Sequence, residues 1–113
     1  MRNMSFAATI PQMYDRSKTV TRRRGWKFLC PGDEVMAVEK SMGLKKGEKI
    51  KRIHTIRILD VRQEPLWLIT EEDVAQEGFP LWRRWRFLRF LRTEFRCKIG
   101  DSVTRIEFEH LEA

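Results

Sequence analysis

Lys18 and Thr21 stand three residues apart in RSKTVTRRR, residues 16–24, with Arg22, Arg23 and Arg24 directly after them. An amine beside a hydroxyl forms a base and nucleophile pair when burial or cationic neighbours lower the lysine pKa, because only the neutral amine accepts a proton. The three arginines supply such neighbours. They also suit a phosphate, which guanidinium groups grip through charge-assisted hydrogen bonds. If residues 19–23 form a strand, side-chain alternation puts Thr19, Thr21 and Arg23 on one side. The same composition also describes a solvated basic edge strand, since charges protect sheet edges from unwanted pairing. Spacing alone leaves all three readings open.

A carboxylate that breaks a local rule comes later. Thr70-Glu71-Glu72-Asp73 has the pattern of a capping box, with Thr70 as N-cap and Asp73 reaching back. The three acids of that first turn interact well with the positive end of a helix. Glu77 falls in the last turn, against the negative end, just before Gly78 at the position where helices commonly stop. The cost is only tenths of a kcal/mol, yet local inconsistencies of this kind are where functional residues are found.

Most of the excess charge sits in PLWRRWRFLRFLRTEFRCK, residues 80–98, with six Arg and one Lys against one Glu, a net of +6. At 100° per residue, Leu81, Phe87, Leu88, Leu91 and Phe95 share an arc suited to packing on a sheet. Arg86, Arg89, Arg92 and Arg96 gather on another arc, together with Trp82 and Trp85. Guanidinium groups beside aromatic planes are what single-stranded bases and phosphates bind. The alternative is an amphipathic helix whose arginines are solvated and whose tryptophans complete the core. Lys45 and Lys46 lie in a glycine-flanked loop, MGLKKGEK, that is either a solvated hairpin tip or a flexible cover for an anionic ligand. Its glycine spacing is not that of a phosphate loop.

The 113-residue chain carries 23 Lys and Arg against 16 Asp and Glu, hence +7, and a pI near 9.9. Such a balance points to an anionic partner, nucleic acid before others. Its 42% hydrophobic and 11% aromatic content supports a packed core, and the length suits a single domain over residues 1–113. No stretch has the length of a membrane span, and residues 1–12 lack the apolar core of a signal peptide, so a cytoplasmic protein is expected. Cys30 and Cys97 are isolated and are expected to be reduced, partly buried thiols. His54 and His110 fall in no ligand pattern, so neither a metal nor a cofactor is expected.

The elements that must position these groups alternate in kind. Residues 4–10 read as a strand ended by Pro11, residues 12–17 as one helical turn, and residues 19–23 as a second strand. After the Pro31-Gly32-Asp33 turn, residues 35–38 form a strand. Residues 50–61 form one long strand, or two meeting at a bulge. A helix then runs from Thr70 to about Glu77, a second from Phe79 and Pro80 to about Phe95, and residues 103–108 close as a strand. The class is α+β and barrel-like.

The opening strand, Lys18-Thr19-Val20-Thr21-Arg22-Arg23, the Pro31-Gly32-Asp33 turn, ITEEDVAQEGF over residues 69–79 and RIEFEHL over residues 105–111 occur in an order that resembles the ASCH domain family of the PUA-like superfamily. The resemblance covers nearly the whole chain. It implies a small β-barrel with flanking helices and a cleft for RNA or a modified nucleoside. Small bacterial members are acetylcytidine amidohydrolases using a lysine, a threonine and a glutamate, which would fall on Lys18, Thr21 and Glu77. On that reading Lys18 deprotonates Thr21, the hydroxyl attacks the acetyl carbonyl, and Glu77 handles the leaving amine's proton or orients the base. Arg22, Arg23, Arg24, Lys45, Lys46, Trp82, Arg86, Arg89 and Arg92 are the candidate ligand-binding residues. The basic helix and the lysine loop depart from the short amidohydrolases and suit a polynucleotide, so a non-catalytic RNA reader and an RNA-cleaving enzyme stand as alternatives.

Overall fold

Residues 52–65 form the longest element of the fold because apolar Ile56 and Ile58 alternate with polar Arg57, and β-branched residues suit a pleated, half-buried surface. The computed structural model describes residues 1–111. In chain order it contains β1 (Asn3–Ser5), α1 (Ile10–Tyr14), β2 (Val20–Arg23), β3 (Glu34–Val38) and β4 (Arg52–Pro65). A 3₁₀ turn (Leu66–Leu68), α2 (Glu71–Gln76), α3 (Arg84–Phe95) and β5 (Ser102–His110) complete it. The strand order is β1-β3-β4-β5-β2, with β1 and β3 parallel and the other pairs antiparallel. The long segment is one strand, with a bulge between Ile58 and Asp60 that turns exposed Leu59 outward.

The closed barrel expected from the sequence does not form: the sheet is open, and β1 and β2 are its two edges. β1 is the reason. It spans three residues, where the sequence suggested seven, because the chain turns at Ala7 and Ala8 and enters α1 at Ile10 with Pro11 in its first turn. Proline is well placed there, since its missing N–H would have no intrahelical partner. The short edge cannot pair along β2. A side chain spans the opening instead: Arg23 of β2 donates from Nη2 to the Ser5 carbonyl of β1 and lays its guanidinium over the Phe6 ring, 4.6 Å from the centroid.

Two apolar clusters flank this opening. One contains Met4, Phe6, Met13, Ile56, Ile106 and Phe108; the other contains Leu66, Val74, Phe87, Leu91 and Val103. The capping box of α2 forms as the sequence indicates, with Thr70 Oγ1 accepting from the Asp73 N–H and Asp73 accepting from the Thr70 N–H. Glu77 is the C-cap and Gly78 follows at φ +106°. The second helix starts at Arg84 and not at Pro80, because residues 79–82 turn so that Phe79 stacks on Trp82 with centroids 4.0 Å apart. That turn also revises the apolar arc. Phe87 and Leu91 are buried, whereas Leu81 is 94% exposed and Phe95 half exposed.

Candidate functional site

Burying Lys18 and Glu77 requires that each supply what the other loses on leaving water. Lys18 lies just before β2 and Glu77 ends α2; both are almost fully buried. The Lys18 ammonium donates to Glu77 Oε1 at 2.8 Å and to the Glu77 main-chain oxygen at 2.8 Å. A carbonyl at a helix end lacks an intrahelical donor, so the lysine satisfies an orphan group and the carboxylate together. Arg22 holds the other carboxylate oxygen, donating from Nη1 to Oε2 at 2.9 Å. Its remaining nitrogens reach Glu64 Oε1 at 3.0 Å and Asp73 Oδ2 at 3.2 Å. The carboxylate that looked misplaced by helix-dipole reasoning is therefore clamped between two cations, Lys18 just before β2 and Arg22 within it.

The electrostatic consequences differ along this row. Burial pulls the Lys18 pKa down; Glu77 opposes that, and the charges of Arg23 and Arg22 add to it. Burial also works against the charge of Arg22, but Glu77 and Asp73 outweigh it and raise its pKa. Arg23 is pushed down to about 10 by burial, with Glu77 opposing. Thr21 shares the Arg23 face, as strand alternation requires, and its Oγ1 accepts from Arg23 Nε at 3.3 Å. A cationic donor on a hydroxyl oxygen favours its alkoxide. Among the described residues Lys18 makes no hydrogen bond to Thr21; both side chains are buried and border the same hollow.

That hollow is a cleft of about 620 Å³ lying in the opening between β1 and β2. Lys18, Thr21, Arg22, Arg23, Arg24 and Glu77, together with Ser5, Thr9 and Glu94, supply its polar lining. Its apolar walls come from both clusters, with Phe6 and Trp26 on one side and Phe79, Phe87, Phe90 and Phe95 on the other. Few convergent polar groups on an aromatic-walled concavity of this size are the ordinary makings of a small-molecule site. The sequence offered no signal for these aromatic walls, because their members are scattered from residue 6 to residue 95 and meet only through the fold.

Other candidates lie elsewhere. Lys45 and Lys46 are exposed in the loop before β4, where the Lys45 N–H is taken by Glu48, and neither borders the cleft. Trp82 belongs to the second apolar cluster, with Arg86 stacked over its ring at 4.5 Å, so it stands with the core and not on a free arginine face. Arg89 and Arg92 line a separate hollow on the far side of α3. Arg24 borders the cleft but turns its guanidinium to Asp101 at 2.9 Å. Cys97 is buried and Cys30 exposed, both as free thiols, so the expected partial burial fails for Cys30.

The two histidines, 56 residues apart, meet directly. His110 Nε2 lies 2.6 Å from the Lys18 main-chain oxygen and must donate to it, since a carbonyl only accepts. Nδ1 of His110 is then the acceptor for the Nε2–H of His54 at 2.6 Å. The backbone of the buried lysine is thus propped from behind by a pair of neutral imidazoles.

No family model and no curated protein sequence matches the chain. Solved structures do. The ASCH domain from Lactobacillus crispatus JV V101 superposes with a TM-score of 0.68 at 14% identity, covering 96% of this chain and 79% of that one. The fold is that of an ASCH domain. Protein EF3133 from Enterococcus faecalis V583, assigned to the DUF984 family model, superposes on the ASCH fold of this chain with a TM-score of 0.61 at 16% identity, covering 89% of this chain and 68% of that one. Hypothetical protein PH0355 does so with 0.60 at 18% identity, covering 98% and 100%. An ASCH fold with an open sheet is what the described strands form, in place of the closed barrel anticipated from the sequence.

Proposed function

We propose that this ASCH-fold protein binds a modified cytidine, free or within RNA, in the cleft between β1 and β2 and hydrolyses an amide on its base. The supporting observation is the convergence of the buried Lys18–Glu77 pair and the Thr21 hydroxyl on one wall of an aromatic-sided cleft. In the reaction a neutral Lys18 amine accepts the Thr21 proton, and Oγ1 forms a bond to the acyl carbon. The tetrahedral intermediate expels the base's exocyclic nitrogen, which takes a proton from the Lys18 ammonium. Glu77 stabilises that ammonium while it carries the proton. Water then cleaves the acyl–threonine ester, returning Thr21 to its hydroxyl and releasing a carboxylic acid. Arg23 assists by donating to Oγ1. Phe6, Trp26, Phe79 and Phe90 offer ring faces to the base.

One observation favours a second reading, that of a non-catalytic binder of the same ligands. Both hydrogen bonds of the Lys18 amine go to Glu77, which turns the amine to its partner and leaves it without a hydrogen bond to Thr21. The two readings separate on turnover of N-acetylcytidine, followed by chromatographic release of cytidine. The hydrolytic reading requires turnover by the wild type and a loss of about a hundredfold or more in Lys18→Ala and Thr21→Ala. Absence of turnover above those variants leaves the binder, whose affinity for the nucleoside calorimetry would register.

A further inference from the structure

The far side of α3 carries a second hollow that the cleft chemistry does not use. Trp85, Leu88, Arg89 and Arg92 follow one another at helical spacing along one face, with Leu88 packing against the second apolar cluster beside Phe87 and Leu91. Leu66 and Ile99 close the hollow from the 3₁₀ turn and the loop before β5. The segments that carry Leu66 and Ile99 are tied together: the Trp67 N–H donates to the Ile99 carbonyl at 3.0 Å, and Arg84 of α3 donates to the Ile69 and Trp67 carbonyls at 2.7 and 2.6 Å. One indole borders it in solvent, Trp85 at 61% exposure.

Charge decides what covers it. Arg89, Arg92 and Lys98 ring the hollow, and among the described residues none of the three makes an ion pair. The neighbouring carboxylates are already engaged, Glu71 by the Arg84 N–H and Asp101 by Arg24. No carboxylate lines the hollow. Three unpaired cations around an open indole plane match a ligand that joins anionic groups to flat rings, which is a single-stranded nucleic acid. An acidic peptide would use the cations and leave the indole idle. A lipid surface would favour an apolar ridge that projects, whereas here the indole flanks a concavity.

We propose that this hollow, centred on Trp85, Arg89 and Arg92, is a binding site for single-stranded RNA separate from the cleft between β1 and β2. Bases stack on Trp85, and Arg89, Arg92 and Lys98 pair with the phosphates that follow. The site is independent of the hydrolytic reading and stands or falls separately.

The test is titration of a fluorescent oligouridylate of about ten nucleotides into the full chain at several salt concentrations. Three phosphate contacts on a single strand predict a log–log salt slope of about −2. Trp85→Ala weakens binding about tenfold, and Arg89→Glu with Arg92→Glu by more. These positions are exposed, and an unchanged urea midpoint verifies that each variant is folded; should Trp85→Ala unfold, the charge reversal alone decides. Saturating cytidine leaves the RNA bound. Displacement by cytidine would put the RNA in the cleft and overturn the proposal. So would an affinity untouched by the variants, the absence of RNA binding, stronger capture by polyglutamate or phosphatidylserine vesicles, or self-association that the charge reversal abolishes.

Discussion

Glu77 holds Lys18 by two arms, its carboxylate Oε1 and its own main-chain oxygen, each 2.8 Å from the lysine ammonium. The pair is asymmetric, because Glu77 has a second cation in Arg22, whereas Lys18 has no other carboxylate among the described residues. Removing one member of a buried pair leaves the other's charge uncompensated, at a cost of about 3–5 kcal/mol. Glu77→Gln strands both Lys18 and one nitrogen of Arg22. Lys18→Met leaves Glu77 still paired. Urea denaturation should therefore show Glu77→Gln as the more destabilising of the two, and the reverse order would contradict the clamp.

The pH dependence of turnover follows from the Lys18 shift. Its pKa lies below the ordinary lysine value, chiefly through burial, so the neutral, proton-accepting form appears at a lower pH than for an exposed lysine. Activity on N-acetylcytidine should rise with pH through that lowered value. Arg23 contributes to the depression by repelling a charged neighbour. Arg23→Gln removes the repulsion, so the rising limb of the pH profile should move to higher pH. A shift to lower pH would exclude Lys18 as the titrating base.

The histidine pair makes stability sensitive to acid. Burial lowers the pKa of both His54 and His110 in the folded chain. Between those lowered values and the unfolded value near 6.5 the unfolded chain binds more protons, so stability rises with pH through that window and falls on acidification. Arg16 also depresses both groups, while Asp15 and the Lys18 carbonyl oppose this at His110. His54→Gln with His110→Gln should flatten the change in urea midpoint between about pH 5 and 7.5. An undiminished slope would assign the acid sensitivity to other groups.

Gly78 joins backbone geometry to the site. Its φ of +106° strains any side-chain-bearing residue, and a Cβ there would lie 2.8 Å from Gln12 Cγ and 3.5 Å from Lys18 Cβ. Gly78→Ala should destabilise by about 1–3 kcal/mol, measured as a drop in urea midpoint. It should also lower turnover by pressing α1 and Lys18 away from Glu77. Full retention of stability would show that the turn relaxes without cost.

Features legible in the amino-acid order are those that lie within a few residues of their cause. The Thr70–Asp73 capping box, the stop at Gly78, a long strand through Ile56 and Ile58 and the shared face of Thr21 and Arg23 all follow from local hydrogen bonding, glycine freedom and strand alternation. The sequence places that strand over residues 50–61, whole or split at a bulge, whereas it runs as one over Arg52–Pro65. The same logic overextended β1 and α3, because an apolar run does not reveal that the chain turns at Ala7 or that Phe79 stacks on Trp82. Only the tertiary structure decided that the sheet stays open at its β1 and β2 edges, that Glu77 is gripped by Lys18 and Arg22, and that two histidines 56 residues apart share a hydrogen bond. Each depends on a contact whose partners are distant in the chain. A residue's type states which hydrogen bonds and charges it must satisfy, and only packing selects the partner that satisfies them.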